Sequence, residues 1–505
     1  MAWLQDISFI VAATWFVYQV CTILYNLYFH PLAKYPGPRG AAITKLWKSW
    51  YECVLQRSLT HELVNLHKIY GDIVRIGPNE LHFAAPEAYH EIYNNLNRWR
   101  KEETLYHSFG ANESSFGFLD YRPAKERRNV LSKMFAPKAI HEDIQPLVVE
   151  KIHALFSVLE RRAKEGKSSN MFLACRCLTM DIITYLCFGR SVNSIDEPDF
   201  HAPLIESVDT SVFTPVYMKH SALYRWIIAN VPRKLAMIVA PGSAALLVMQ
   251  QRLERQIAAH VKDPASLSHL PHSTTIYHLL LNPEAYRTKT VPSTQSLYAE
   301  SQAMIFAGSD TGANVMMLGL FYLMKNPKCM ASLKQELREF WPNINDEPDL
   351  KAVEKLPYLN AFIKESLRMG PNIPSGCPRI VPAGGFNING HHIPGGTCVS
   401  MSQWLIHRNP TLFEDPDEFI PERWLQSDSA ALEKWLVPFS RGPRMCLGMN
   451  LAWCEMRLGF AYMIRKFNLE MDPAGPQTDH LPWHDVFLPY FPEPHVKAFM
   501  ESVPA

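Results

Sequence analysis

The sequence predicts a mainly α-helical protein with small β-sheets, one large domain carried behind a single N-terminal transmembrane helix. Three observations predict it. Residues 7–29 hold 23 consecutive positions without a formal charge. Helix start and stop signals dominate the rest, and strand-like pieces are short and few. The 505 residues are 47% apolar and 20% charged, an ordinary globular composition. The 38 prolines exceed the usual ~5% and point to long connecting segments.

The first element is the uncharged run from Ile7 to Phe29. At about 1.5 Å per residue it makes a helix roughly 34 Å long, enough for the ~30 Å core of a bilayer. Trp15, Phe16, Tyr18, Tyr25 and Tyr28 supply aromatic groups, the last two suited to an interface. No Lys or Arg precedes Lys34, and Arg39, Lys45 and Lys48 follow. The positive-inside bias therefore leaves the rest of the chain in the cytosol. A cleaved signal peptide would need a basic start and small residues at a cleavage site, and this run has neither. Residues 30–45, with Pro31 and Pro36-Gly37-Pro38, cannot extend the helix and read as a stiff hinge. Residues 46–505 form the body, in which no second apolar run of membrane-spanning length is expected.

Strand-like pieces lie near Asp72–Pro78 and between Arg379 and Met401. A long apolar run from Ser293 to Lys325 predicts a buried helix. Pro357 to Met369 predicts another, with proline at its start and Gly370-Pro371 at its stop. A helical pattern also follows Met449. No repeat or linker divides the body.

Composition excludes several functions. Fifty basic residues against 49 acidic ones leave a net charge of +1, so no nucleic-acid partner is expected. Ten cysteines are scattered without a C-x-x-C pair, which argues for a reducing compartment and against a disulfide scaffold. None of the 20 histidines shows metal-ligand spacing, and His391-His392 in a turn-rich segment receives no role. Asn112-Glu113-Ser114 is a glycosylation sequon, expected to stay unmodified on the cytosolic side.

Chemistry concentrates in a few places. Cys446 sits in a loop between Gly442 and Gly448, running into a helix start. Glycines let such a backbone pass close to a large flat ligand. A helix start favours thiolate over thiol. Arg444, two residues earlier, suits an anionic group on that ligand. Glu365 and Arg368, spaced i,i+3, share one helix face. In Ala307-Gly308-Ser309-Asp310-Thr311 the glycine leaves room beside a helix and the threonine can bond back to a carbonyl. The adjacent acid and alcohol, about 100° apart around the axis, can relay protons to a buried site.

These stretches resemble the cytochrome P-450 superfamily. Phe439, Gly442, Arg444, Cys446 and Gly448 fill its F-x-x-G-x-R-x-C-x-G signature, and Ala307 to Thr311 fill its A/G-G-x-D/E-T signature. The resemblance extends to the E-x-x-R pair and to Pro421-Glu422-Arg423-Trp424. It implies that Cys446 is the axial ligand of a haem b iron (iron protoporphyrin IX). Phe439 would pack near the sulfur, and Gly448 would let the following helix approach the porphyrin. Arg444, Arg128 and Arg379 would meet the propionates. Ala124 stands where the family often has Trp or His, with Lys125 beside it as a substitute. Arg423 would join Glu365 and Arg368 in a structural triad, and Asp310 and Thr311 would serve dioxygen activation.

The hinge His30–Pro38 and the stretch Val74–His82 are similar to fungal microsomal members, among them trichodiene oxygenase-like monooxygenases of secondary metabolism. The implied function is hydroxylation or epoxidation of a hydrophobic small molecule, a terpenoid or another secondary metabolite. Electrons would come from NADPH through a separate cytochrome P-450 reductase, since no G-x-G-x-x-G unit is present. The implied location is the endoplasmic reticulum membrane, single-pass, with the catalytic domain cytosolic. A haem-thiolate isomerase or dehydratase is the alternative class, and polyketides or alkaloids are the alternative substrates. Selectivity is expected from loops near residues 100–120 and 205–245.

Overall fold

The computed structural model describes residues 2–273 and 275–503. Helix Ala2–Leu24 opens the chain and widens into a π-turn over Tyr25–Phe29. The span Gln5–Phe29 has a mean hydropathy of 1.9, and its most apolar stretch is not buried by the body. It is a candidate membrane anchor. Residues 30–45 are docked on the body. Leu32 is fully buried, and the Pro36 carbonyl accepts the Arg75 amide at 2.7 Å. Proline-rich backbone lacks donors but still offers carbonyls, and a neighbouring strand uses one here. A Cβ on Gly37 would stand 2.3 Å from the Arg75 carbonyl oxygen, so only glycine fits.

Five short strands form the main sheet in the order Ile73–Gly77, Glu80–Phe83, Cys398–Ser400, Arg379–Ile380, Arg100–Lys101. The first two make a hairpin, and Glu80–Phe83 pairs in parallel with Cys398–Ser400. Both strand-like regions of the sequence therefore meet in one sheet, beside a third strand that the sequence did not signal.

The body is helical around one large apolar core. Helix Pro357–Met369 begins at its proline and stops before Gly370-Pro371. It buries Leu359, Phe362 and Ile363 completely, each contributing about 2 kcal/mol of burial. The long helix starts with Ser293 capping the Ser296 amide at 3.1 Å and ends at Lys325. It is interrupted at Asp310, dividing into Thr294–Ser309 and Thr311–Lys325.

One expectation is corrected. Helix Met171–Phe188, with mean hydropathy 1.6, is a second run long and apolar enough to cross a membrane. It is 94% buried, which makes it the core partner of Thr294–Ser309 and Thr311–Lys325. Its polar residues are satisfied internally: Asp181 accepts the Ser194 amide at 2.8 Å and the Ile195 amide at 3.1 Å. Burial of an apolar helix looks the same in sequence whether protein or lipid covers it.

Candidate functional site

The Cys446 loop is shaped by its backbone. The Cys446 amide donates to the Phe439 carbonyl at 2.8 Å, closing the turn. Gly442 has φ +77°, and a Cβ there would stand 2.8 Å from the Asn94 oxygen. Glycine alone meets both demands. Helix Met449–Lys466 starts immediately after Gly448, where a Cβ would meet nothing within 4 Å. Phe439 is half-buried with its ring 6.4 Å from that of Trp453. Cys446 has exposed surface although protein surrounds it, so the thiol faces interior space. The sequence predicted a thiol tuned toward thiolate. Instead burial pushes the Cys446 thiol above its ordinary value, while the Gly448 amide and Arg128 pull it partway back. Desolvation outweighs a helix start in the protein by itself.

The central helix carries a notch. Ala307 is exposed within an otherwise packed element, and the Thr311 hydroxyl donates to its carbonyl at 2.9 Å. The Thr179 hydroxyl donates to the Ser309 carbonyl, so a second helix takes up an acceptor at the interruption. Gly308 permits that crossing, since a Cβ would stand 2.5 Å from Ile183. Asp310 turns to Arg176, which gives Nε to Oδ1 at 2.9 Å and Nη1 to Asp209 at 2.8 Å. Burial alone would depress Arg176, but the two carboxylates more than offset it and raise it. Sequence reasoning missed Arg176 and Asp209, which lie 134 and 101 positions before Asp310 in the chain.

Four cations converge near the cysteine loop. Arg128 donates to the Met445 carbonyl at 2.7 Å, which ties helix Tyr121–Leu131 to the loop. Arg444 gives Nη2 to the Asp120 carbonyl at 2.7 Å, while its buried Nη1 has no partner. Arg379 donates to the Tyr106 hydroxyl at 2.7 Å. The fourth cation, Lys101, was not anticipated. It is buried directly opposite Arg379 in the strand register. Burial, then Arg379, Arg444 and Arg128, hold it well below the ordinary lysine value. Burial and Arg379 likewise bring Arg444 down to about 10. Lys125, the expected substitute beside Ala124, is exposed with its ammonium 5.7 Å from the Tyr121 ring centre.

Glu365, Arg368 and Arg423 meet in the interior. Arg368 holds Glu365 through two bonds of 2.9 and 2.7 Å, and Arg423 adds Nε at 3.2 Å. Trp424 Nε1 and the Ile420 amide also donate to Glu365, each at 2.9 Å. Arg368 reaches onward to the carbonyls of His407, Pro416 and Glu418. The cluster fastens the segment leading to the Cys446 loop and touches no open space.

A flat, anionic iron porphyrin fits these residues. Like charges opposite one another on paired strands are destabilising unless an anion lies between them. Lys101 with Arg379, and the orphaned Arg444 Nη1, supply that demand. Cys446 supplies a soft donor, and the open side of Gly448 leaves room for a ring.

Residues 42–494 match the family model described as Cytochrome P-450. The chain is 32% identical to the cytochrome P-450 monooxygenase flvC of Aspergillus flavus, covering 96% of this chain and 95% of that protein. It is 32% identical to the monooxygenase macH of Penicillium terrestre, covering 95% of each. It is 33% identical to the monooxygenase sdnE of Sordaria araneosa, covering 91% of each.

Proposed function

The chain belongs to the cytochrome P-450 family of monooxygenases, and from that premise we propose that Cys446 would hold the iron of a haem b through its sulfur. Arg128, Arg379, Arg444 and Lys101 bind its propionates. The observation that carries this reading is the buried pair Lys101 and Arg379 beside the Cys446 loop, whose donors meet carbonyls and the Tyr106 hydroxyl and not an anion. When bound, the haem supplies dioxygen activation, placing one oxygen atom in the substrate and releasing the other as water.

The chain's own residues position and protonate. Thr311 holds its hydroxyl at the notch, anchored on the Ala307 carbonyl. Asp310 is the acid that brings protons to it. The Arg176 guanidinium cannot give up its proton, so the route runs through carboxylates and water once Asp310 leaves Arg176. Asp209 stands at the more exposed end of that pair of bridges. Glu365, Arg368 and Arg423 act by support alone.

The substrate is a hydrophobic small molecule of fungal secondary metabolism, read here as a terpenoid intermediate. Electrons come from NADPH through a separate cytochrome P-450 reductase. Residues 1–29 anchor the enzyme in the endoplasmic reticulum membrane, with the body on the cytosolic side set by Lys34, Arg39, Lys45 and Lys48.

The test is spectroscopic and then catalytic. Reduced protein with carbon monoxide should show the red-shifted Soret band of a thiolate-bound haem, and Cys446→Ala should abolish it. With reductase and a terpene substrate panel, NADPH oxidation should couple to oxygen uptake and product. A band that survives Cys446→Ala overturns the ligand assignment. Product without oxygen uptake would favour the isomerase class.

A further inference from the structure

We propose that His407 is a positioning residue for the Cys446 loop, its ring joining the Glu365 cluster to the turn that carries the sulfur. The inference rests on the haem reading above and names the side chain that keeps the sulfur in place.

His407 closes the short helix Gln403–His407 and is fully buried. Its Nε2 accepts the Val437 amide at 3.0 Å. An imidazole nitrogen that accepts carries no proton, so the ring is neutral and its hydrogen sits on Nδ1. Among the described residues that Nδ1 has no hydrogen-bond partner. A buried donor left unpaired is costly and needs a reason. Phenylalanine would fill the same space without that cost. The Val437 bond is what an apolar ring cannot supply.

The ring is held still from behind. Arg368 Nη1 donates to the His407 carbonyl at 2.9 Å. The next residue, Arg408, donates to the Pro416 carbonyl at 2.8 Å and to the Met369 carbonyl at 3.1 Å. The backbone that bears the ring is therefore tied to the end of helix Pro357–Met369. Burial, then Arg368 and Arg408, bring the imidazole down to about 3. Nε2 thus stays open to the amide at neutral pH.

In front of the ring lies the cysteine loop. Between residues 431 and 446 only Val437 and Gly442 are buried. Gly442 is pressed against the Asn94 and Tyr93 carbonyls, and Val437 is the point held by His407. The Val437 carbonyl accepts the Ser440 amide at 3.0 Å, closing a turn in which Ser440 takes φ +59°. Side-chain-bearing residues adopt that conformation only where their surroundings impose it. Phe439, inside the turn, gives its carbonyl to the Cys446 amide at 2.8 Å. The path from the ion cluster to the sulfur runs through Arg368, His407, Val437, Phe439 and Cys446, and every step but Val437 to Phe439 is a hydrogen bond. A metal-binding side chain must be held to within about 0.5 Å, which a loop achieves only with support from rigid elements.

The experiment uses the full chain, reduced and bound to carbon monoxide, and follows loss of the thiolate band in urea below the unfolding transition. His407→Phe keeps the ring's volume and removes the acceptor. The band should then be lost about tenfold faster, the scale of one buried donor left unpaired. His407→Gln, whose amide oxygen reaches about as far as Nε2, should return the rate to within about threefold of the parent. His407→Asn, whose amide falls short of Val437, should behave as His407→Phe does, and it decides against His407→Gln if the Phe variant does not fold. Thr184→Val, which unpairs the Val192 amide on another helix, should change the rate by less than about twofold. Hydrogen exchange at the Val437 and Cys446 amides should rise about tenfold in His407→Phe. Equal rates in the Gln and Asn variants, or equal acceleration by Thr184→Val, would overturn the link. A parent protein without the thiolate band would overturn the haem reading instead. Exchange at Cys446 would still judge His407, since unchanged protection there overturns its role.

Discussion

Arg176 holds the Asp310 carboxylate at 2.9 Å, while Thr311, the next residue, turns its hydroxyl back to Ala307. The acid and alcohol are thereby parted around the helix, one toward a buried cation and a second carboxylate, the other toward the notch. In the proposed reading both serve to bring a proton from outside to the site.

Thr311→Ala should leave folding and the carbon monoxide band nearly intact while slowing the proton-dependent step about 10²- to 10⁴-fold. Reducing equivalents should then escape as hydrogen peroxide. Product formed per NADPH consumed is the measurement. Unchanged coupling would return the pair to polar interruptions in a core helix.

Glu365→Gln attacks the interior cluster. The variant leaves Arg368, fully buried, facing a neutral amide. Breaking a buried pair on one side costs about 3–5 kcal/mol, which should appear as a lower urea midpoint and poor haem retention. Lys364→Ala, one residue away, breaks a more exposed bridge to Glu433 and should cost less than about 1 kcal/mol. Similar losses in the two variants would deny the cluster its structural role.

The inner end of the candidate anchor helix is tied to the body. Arg75, buried, donates to the Asn26 carbonyl at 2.7 Å. Deleting residues 2–24 should release the enzyme from microsomes and keep its stability. Deleting residues 2–29 removes Asn26 as well, and should cost about 1–3 kcal/mol for the donor left unpaired. Thermal midpoints of the two truncated proteins make the comparison, and equal midpoints would contradict it.

Glu455 is buried on the helix after Cys446, with Oε1 lacking a partner, and burial pushes its carboxyl from 4.5 up to about 8. An acid raised in the fold contributes its full stability below the unfolded value and loses it as pH climbs through the folded one. Relative to Glu455→Gln, the parent should therefore lose stability between about pH 4.5 and 8, by about 5 kcal/mol at most. Denaturant unfolding of both proteins at pH 5 and pH 9 checks this. A difference independent of pH would mean that the carboxyl is not held neutral.

Local features were legible in the sequence. The helix from Pro357 to Met369, the ends of the long helix at Ser293 and Lys325, and the Thr311 back-bond each depend on residues within a turn or two. The Cys446 loop belongs with them, because glycines at fixed spacing constrain backbone whatever surrounds it. The N-terminal apolar helix, a candidate anchor, also follows from an uncharged run of sufficient length.

Tertiary structure decided the rest. Lys101 became a candidate only when strand register set it opposite Arg379, and His407 only when a residue 30 positions away bonded to it. The apolar helix Met171–Phe188 was assigned to the core by the helices packed around it. Burial reversed the expected tuning of Cys446, since removal of water outweighs a nearby dipole. Hydrophobic period, turn chemistry and capping act between near neighbours, so sequence carries them directly. Register, desolvation and long-range ion pairs depend on which distant segments meet, and that is settled only when the whole chain packs.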